Sequence, residues 1–129
     1  LMLKMPDTYL HLTEAGITED YSMGYPDLPG FRAGICTPFY FYDLTCEKVT
    51  PLKIFPFQVM EATFLQYLNL HPSGALEKIK TIMEEVKKTG GVFSAIWHNE
   101  SLGNNGKMDR WKNVFEEMIV TGFRYADQL

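Results

Sequence analysis

The sequence predicts an α/β domain. Strand-like stretches alternate with helix-like ones, no two-residue hairpin signal separates the strands, and the length suits one folding unit. Alternation without hairpins favours parallel strands joined by helical crossovers. The chain has 129 residues, and domains typically hold ~100–200. Its 12 Lys+Arg against 16 Asp+Glu give a net charge of −4, with 46% hydrophobic and 14% aromatic residues. That aromatic load excludes a disordered chain, which cannot bury such surface. The acidic balance, with no recurring Lys/Arg face, excludes a nucleic-acid partner. No apolar run reaches the ~18 residues of a membrane-spanning segment. Two cysteines, Cys36 and Cys46, make no disulfide framework and have no zinc-finger spacing. No signal peptide is visible, which leans the compartment toward the cytoplasm; Leu1 is not an initiator methionine, so the start reads as a cut.

The elements follow in order. Residues 5–16 read as a short helix, with Pro6 in its first turn and Gly16 as its stop. Residues 17–23 read as a strand, and Tyr25-Pro26-Asp27-Leu28-Pro29-Gly30 as a loop. A second strand is expected over residues 31–36, with small Ala33 and Gly34 inside it. Phe39-Tyr40-Phe41-Tyr42 is aromatic at every position, so both faces are expected to be covered or to line a cleft. Residues 52–59 read as a third strand interrupted by Pro56, and a helix is expected from about Glu61.

The clearest helix spans residues 73–89, with Leu76, Ile79, Ile82, Met83 and Val86 on one face, Ser73 as N-cap and Gly90-Gly91 as its end. Residues 92–97 are nearly all apolar, the pattern of a strand buried on both faces. Gly103-Asn104-Asn105-Gly106 is a turn-rich loop. A last helix is expected from near Asp109, with Trp111, Val114, Phe115, Met118 and Ile119 on one face. A complete (β/α) barrel needs ~200–250 residues. The chain is therefore either a small open sheet or about half a barrel, and the latter leaves open edges that something else must pair.

In parallel α/β folds ligands sit at the carboxyl ends of the strands. His98, Asn99 and Glu100 follow the apolar strand ending at Trp97 and bring an imidazole, an amide and a carboxylate together. Imidazole titrates near neutrality and suits proton transfer. Arg32 needs a carboxylate partner if buried, and its fork suits one. Glu61 follows the third strand at a helix start, where the dipole favours an acid. Asp20 lies on the first strand. Tyr25 and Trp97, with the aromatics of 39–42, have flat faces that suit either core packing or stacking on sugar rings. No glycine-rich phosphate loop, nucleophile elbow or metal-ligand set stands out.

Asp20-Tyr21-Ser22-Met23-Gly24-Tyr25, Gly30-Phe31-Arg32-Ala33-Gly34-Ile35-Cys36-Thr37-Pro38-Phe39 and Trp97-His98-Asn99 together resemble a bacterial branch of polysaccharide-deacetylase-like proteins. That branch is related to carbohydrate esterase family four, the chitooligosaccharide deacetylase homology domain. The resemblance implies that residues 1–129 are the C-terminal part of a seven-stranded (β/α) barrel of the glycoside hydrolase/deacetylase type. It implies metal-dependent removal of acetyl groups from a polysaccharide or cell-envelope glycan, with substrate contacts expected at Tyr25, Trp97, Asn99 and Asp20. A divalent metal, zinc by expectation, would belong to the whole domain, with no ligand in this chain. His98 matches the family's late Leu-x-His motif and would be the acid that protonates the leaving group. Arg32 matches the arginine of an Arg-x-Pro motif that orients the catalytic carboxylate, although Ala33-Gly34 stands where x-Pro is usual. Glu61 falls where the family has an acid that pairs with the late histidine. No counterpart of the Asp-x-x-Asp-Trp motif is present. The early Asp-Asp pair and the His-x-x-x-His ligands would lie before Leu1, so the implied partners are a glycan and the N-terminal half, and the chain alone would be inactive. The alternative is a non-catalytic carbohydrate-binding or scaffold module.

Overall fold

Prolines and glycines set the limits of the helices. In the computed structural model, which describes residues 3–103 and 108–127, α1 covers Asp7–Glu14. Pro6 caps it, and Gly16 leaves it at φ +75°, which a glycine adopts without strain. Helix α2 spans Pro72–Thr89 and ends on Gly90 in the left-handed conformation. Its N-cap is His71 rather than the expected Ser73. The His71 ring nitrogen Nδ1 accepts from the Ser73 amide at 3.4 Å and lies 2.9 Å from the Ser73 hydroxyl. Helix α3 spans Asp109–Ala126. No helix among the described residues is long and apolar enough to cross a membrane.

Helical periodicity gives α2 and α3 their buried stripes. Ala75, Ile79, Met83 and Val86 of α2 are buried, as are Trp111, Val114 and Met118 of α3. With Val59 and Phe64 they form one core. Ile119, expected on the apolar face, is exposed.

The sheets differ from the expected run of parallel strands. Strand β1 is only Glu19–Asp20, β2 is Phe39–Asp43 and β3 is Lys48–Ile54. They form a sheet in the order β1-β3-β2, with β1 parallel to β3 but β2 antiparallel to it. A hairpin thus joins β2 and β3. Its loop is built by Asp43, whose Oδ1 accepts from the Thr45 amide at 2.8 Å and the Cys46 amide at 3.3 Å. The Thr45 amide is the main cause that holds the Asp43 carboxyl below its ordinary range. The pairing shifts by two residues between Tyr40 and Tyr42. Thr50 fills the irregularity: its hydroxyl donates to the Phe41 carbonyl at 2.8 Å and accepts from the Leu52 amide at 3.4 Å. Pro51, which lacks an N–H, sits where the ladder is broken, as prolines inside sheets do.

Along β2, Phe39 and Phe41 pack on a second core of Tyr9, Met23, Leu52 and Ile54. Tyr40 and Tyr42 are exposed. One face of this aromatic stretch is covered and the other is open, where the sequence led to the expectation that both are covered or line a cleft.

Residues 31–36 form turns, not a strand: the Gly34 amide donates back to the Phe31 carbonyl at 2.9 Å, and Gly34 has φ +72°. Small Ala33 and Gly34 serve a reversal rather than a close approach within a sheet. Strand β4 is Val59–Met60, β5 is Ala95–Ile96, and the two pair in parallel. The apolar run 92–97 is therefore mostly extended backbone with partly covered side chains, not a strand buried on both faces. After β4 the chain enters a π-helical turn, Thr63–Tyr67, closed by the Leu68 amide on the Thr63 carbonyl at 3.0 Å. The turn expected at 103–106 lies outside the described residues from Asn104 onward.

Gly24 sits against the buried ring of Phe57, where an added methyl would overlap three ring atoms. Gly24→Ala should therefore destabilise the fold by about 1–3 kcal/mol. A urea midpoint equal to that of the parent chain would show that the 22–30 loop does not lie on this ring.

Candidate functional site: a buried glutamate holding His98

Parallel pairing of β4 and β5 sets Val59 opposite Ala95 and Met60 opposite Ile96. The same register brings the residues just beyond the strands side by side. Glu61 and His98 therefore emerge next to each other. Glu61 is 1% exposed, a position at which an ionised carboxylate must be surrounded by donors. Its Oε1 accepts from three: the His98 amide at 3.1 Å, His98 Nδ1 at 2.7 Å and the Ser101 hydroxyl at 2.9 Å. Its Oε2 is buried and has no hydrogen-bond partner among the described residues.

The His98 side chain is half exposed. With Nδ1–H donating to Glu61, the neutral ring presents Nε2 as an acceptor. The protonated ring presents Nε2–H as a donor. One buried carboxylate thus fixes the tautomer and aims the other nitrogen outward, which is the arrangement a proton-transfer histidine requires. The turn that carries Ser101 follows at once, a 3₁₀ segment Asn99–Leu102, with the Ser101 amide donating to the His98 carbonyl at 3.0 Å.

The other predicted positions divide into separate environments. Arg32 stands on the 31–34 turn. Its Nη1 donates to the Gly24 carbonyl at 2.9 Å, and its guanidinium carbon lies 5.8 Å from the centre of the Tyr25 ring. Among the described residues it forms no ion pair and no hydrogen bond to Glu61 or His98. It clamps the 22–30 loop. Asp20, at the end of β1, is occupied by its neighbours. Its Oδ1 accepts from Tyr9 Oη at 3.1 Å and from the Ser22 amide at 3.1 Å, and Ser22 Oγ reaches Oδ2 at 2.8 Å. Trp97 packs on Phe115 of α3, ring centres 5.3 Å apart, and lines an open cavity of about 470 Å³ with Phe93 and Met118. Its indole nitrogen is buried without a partner among the described residues. Asn99 is exposed beside His98.

Three residues escaped the sequence reading. Tyr9 was one: a helix residue whose phenol turned out to be tied to Asp20. Ser101 was another, a polar residue in a turn three positions past the histidine. Gln58, 1% exposed, was the third; its Oε1 accepts from the Ser94 amide at 2.8 Å while its own backbone carbonyl accepts from Gly30 at 2.8 Å. A polar residue inside the apolar run 54–60 was the one available signal for it.

Among the described residues no group of three His, Cys, Asp or Glu side chains converges. Neither the known protein-family models, nor the curated proteins, nor the solved structures include a match to this chain.

Burial first, then the Asp20 charge and the hydrogen bond to it, push the Tyr9 phenol well above its ordinary value of 10.0. A group raised on folding stabilises the native state fully below the unfolded pKa and loses that contribution as pH climbs past it. The fold should hence weaken as pH rises above about 10. Tyr9→Phe should cost about 1–3 kcal/mol at neutral pH, from a lost bond to a charged acceptor, and should flatten the alkaline limb. Urea unfolding of both proteins between neutral and strongly alkaline pH measures the two effects, and parallel curves would place the phenol in water instead.

Proposed function

We propose that this chain is the C-terminal part of a (β/α) barrel that removes acetyl groups from a polysaccharide or cell-envelope glycan, with His98 as the acid that protonates the leaving group. The observation that carries the reading is the 2.7 Å contact between Glu61 Oε1 and His98 Nδ1 at the ends of adjacent parallel strands. A buried carboxylate behind a half-exposed imidazole leaves Nε2 free to hand over a proton. The motifs around Asp20, Arg32 and His98 occur in the order that the deacetylase resemblance requires.

In this reading the chain supplies proton delivery, and the rest of the domain supplies the metal, zinc by preference, together with the carboxylate base. Arg32, held over Tyr25 by the Gly24 carbonyl, keeps guanidinium donors for that incoming carboxylate. The partners are thus a glycan and the N-terminal half of the barrel. The free edge of β5 and the apolar cavity beside it suit a surface that the other half covers.

A second reading, a non-catalytic carbohydrate-binding module of the same fold, draws support from the open aromatic face. Tyr21 stacks on Phe55 with ring centres 4.6 Å apart, and Tyr40 and Tyr42 are exposed on the same sheet. Flat rings in water suit stacking on sugars.

Acetate release from acetylated oligosaccharides by the complete parent protein separates the two. His98→Ala should lower turnover about 10²–10⁴-fold and leave metal content unchanged. Arg32→Lys should also reduce turnover, because an ammonium does not replace a two-toothed fork. Full turnover in the His98 variant would remove His98 as the acid. A parent that releases no acetate but loses glycan binding on Tyr21→Ala and Tyr40→Ala is the second reading's result.

A further inference from the structure

We infer that Ser101 is a positioning residue, which locks the Glu61 carboxylate in the orientation that keeps His98 Nε2 turned outward as the proton-transferring nitrogen. The inference rests on the deacetylase reading for the reaction served, but the orientation itself stands on contacts within this chain.

A carboxylate ends in an sp³–sp² torsion that is broad and roughly two-fold, so its two oxygens exchange places easily. In Glu61 they are not equivalent. Oε1 holds three donors, and Oε2 holds none among the described residues. Of the three donors, Nδ1–H belongs to the ring that is to be oriented, and the His98 amide is a backbone group at the longest distance, 3.1 Å. Ser101 supplies the third from outside. It is 5% exposed, and its own position is set by its amide on the His98 carbonyl at 3.0 Å within the Asn99–Leu102 turn. Its hydroxyl, 2.9 Å from Oε1, closes a loop of hydrogen bonds through Glu61, His98 and Ser101. Without it the 3.1 Å amide contact is the one described donor outside the ring that restrains the last torsion, and the acceptor that favours Nδ1–H over Nε2–H is less firmly placed.

Long-range proton–nitrogen NMR spectra of the ¹⁵N-labelled 129-residue chain, at a pH where the ring is neutral, read the His98 tautomer directly. The His98→Ala spectrum assigns the signals against His11 and His71. The parent chain should hold the Nδ1–H form in about tenfold excess, the bias expected of a bond to a charged group. Glu61→Gln should abolish that excess. Ser101→Ala and Ser101→Cys, which lack the hydroxyl, should each cut it at least about threefold, while Ser101→Thr, which keeps it, should retain it. An unchanged tautomer ratio in either folded variant without the hydroxyl overturns the inference, and so does loss of the ratio in a folded Ser101→Thr chain. The readout does not depend on acetate release. A parent protein that fails the deacetylase assay therefore leaves the tautomer result standing, and the reverse holds as well.

Discussion

A carboxylate sealed from water has to be surrounded by donors, and among the described residues Glu61 takes its donors from one short stretch of chain, residues 98–101. That requirement is the constraint on which the site depends. Three residues earlier, Gln58 obeys the same rule: buried, it binds the Ser94 amide through its side chain and the Ser94 carbonyl through its backbone. The two polar side chains bracket β4 and fasten β5 to it at both ends. A two-residue strand pair has few ladder bonds of its own, so side-chain bonds to the neighbouring backbone add to what holds β5 in register.

The segment from Pro56 to Phe64 also ties the two sheets together. Phe57 receives Gly24 against its ring and donates its amide to the Met23 carbonyl, Gln58 accepts from Gly30, and the Thr63 hydroxyl donates to the Pro26 carbonyl at 2.8 Å. The 22–30 loop therefore lies along this segment, and Arg32, bound to Gly24, inherits its place from it. Buried backbone must be paired, and here an irregular loop does the pairing that a further strand would do in a regular sheet. The result is a molecule with two modest cores, one around Tyr9 and Ile54 and the other between α2 and α3. An aromatic sheet face and a cavity beside α3 remain open.

Helices were the readable part of this chain. Their apolar stripes recur within one element, and glycine punctuation at 16 and 90 marks their ends, so local pattern suffices. Strands were less readable for a physical reason. The apolar run 92–97 and the small-residue run 31–36 both suit a strand locally, yet whether either pairs along its length depends on what lies beside it. Only Ala95–Ile96 finds a partner, and 31–34 reverses instead. The antiparallel hairpin was hidden because its loop is a four-residue turn built on the Asp43 carboxylate, with no glycine pair to announce it. Ser101 was unreadable for a similar reason: a serine in a turn has no distinguishing neighbour until the glutamate 40 positions earlier is brought to it.

The amino-acid sequence by itself determined the helices α2 and α3 and the residue types at 32, 61 and 98, because these depend on periodicity, chain-breaking residues and chemistry carried by single positions. The tertiary structure alone decided that Glu61 and His98 meet while Arg32 turns to the Gly24 carbonyl. The Glu61–His98 encounter, across 37 residues, is set by strand register and by the need to satisfy a buried polar group, and Arg32 follows the loop that carries Gly24; neither is a property of any local stretch of chain.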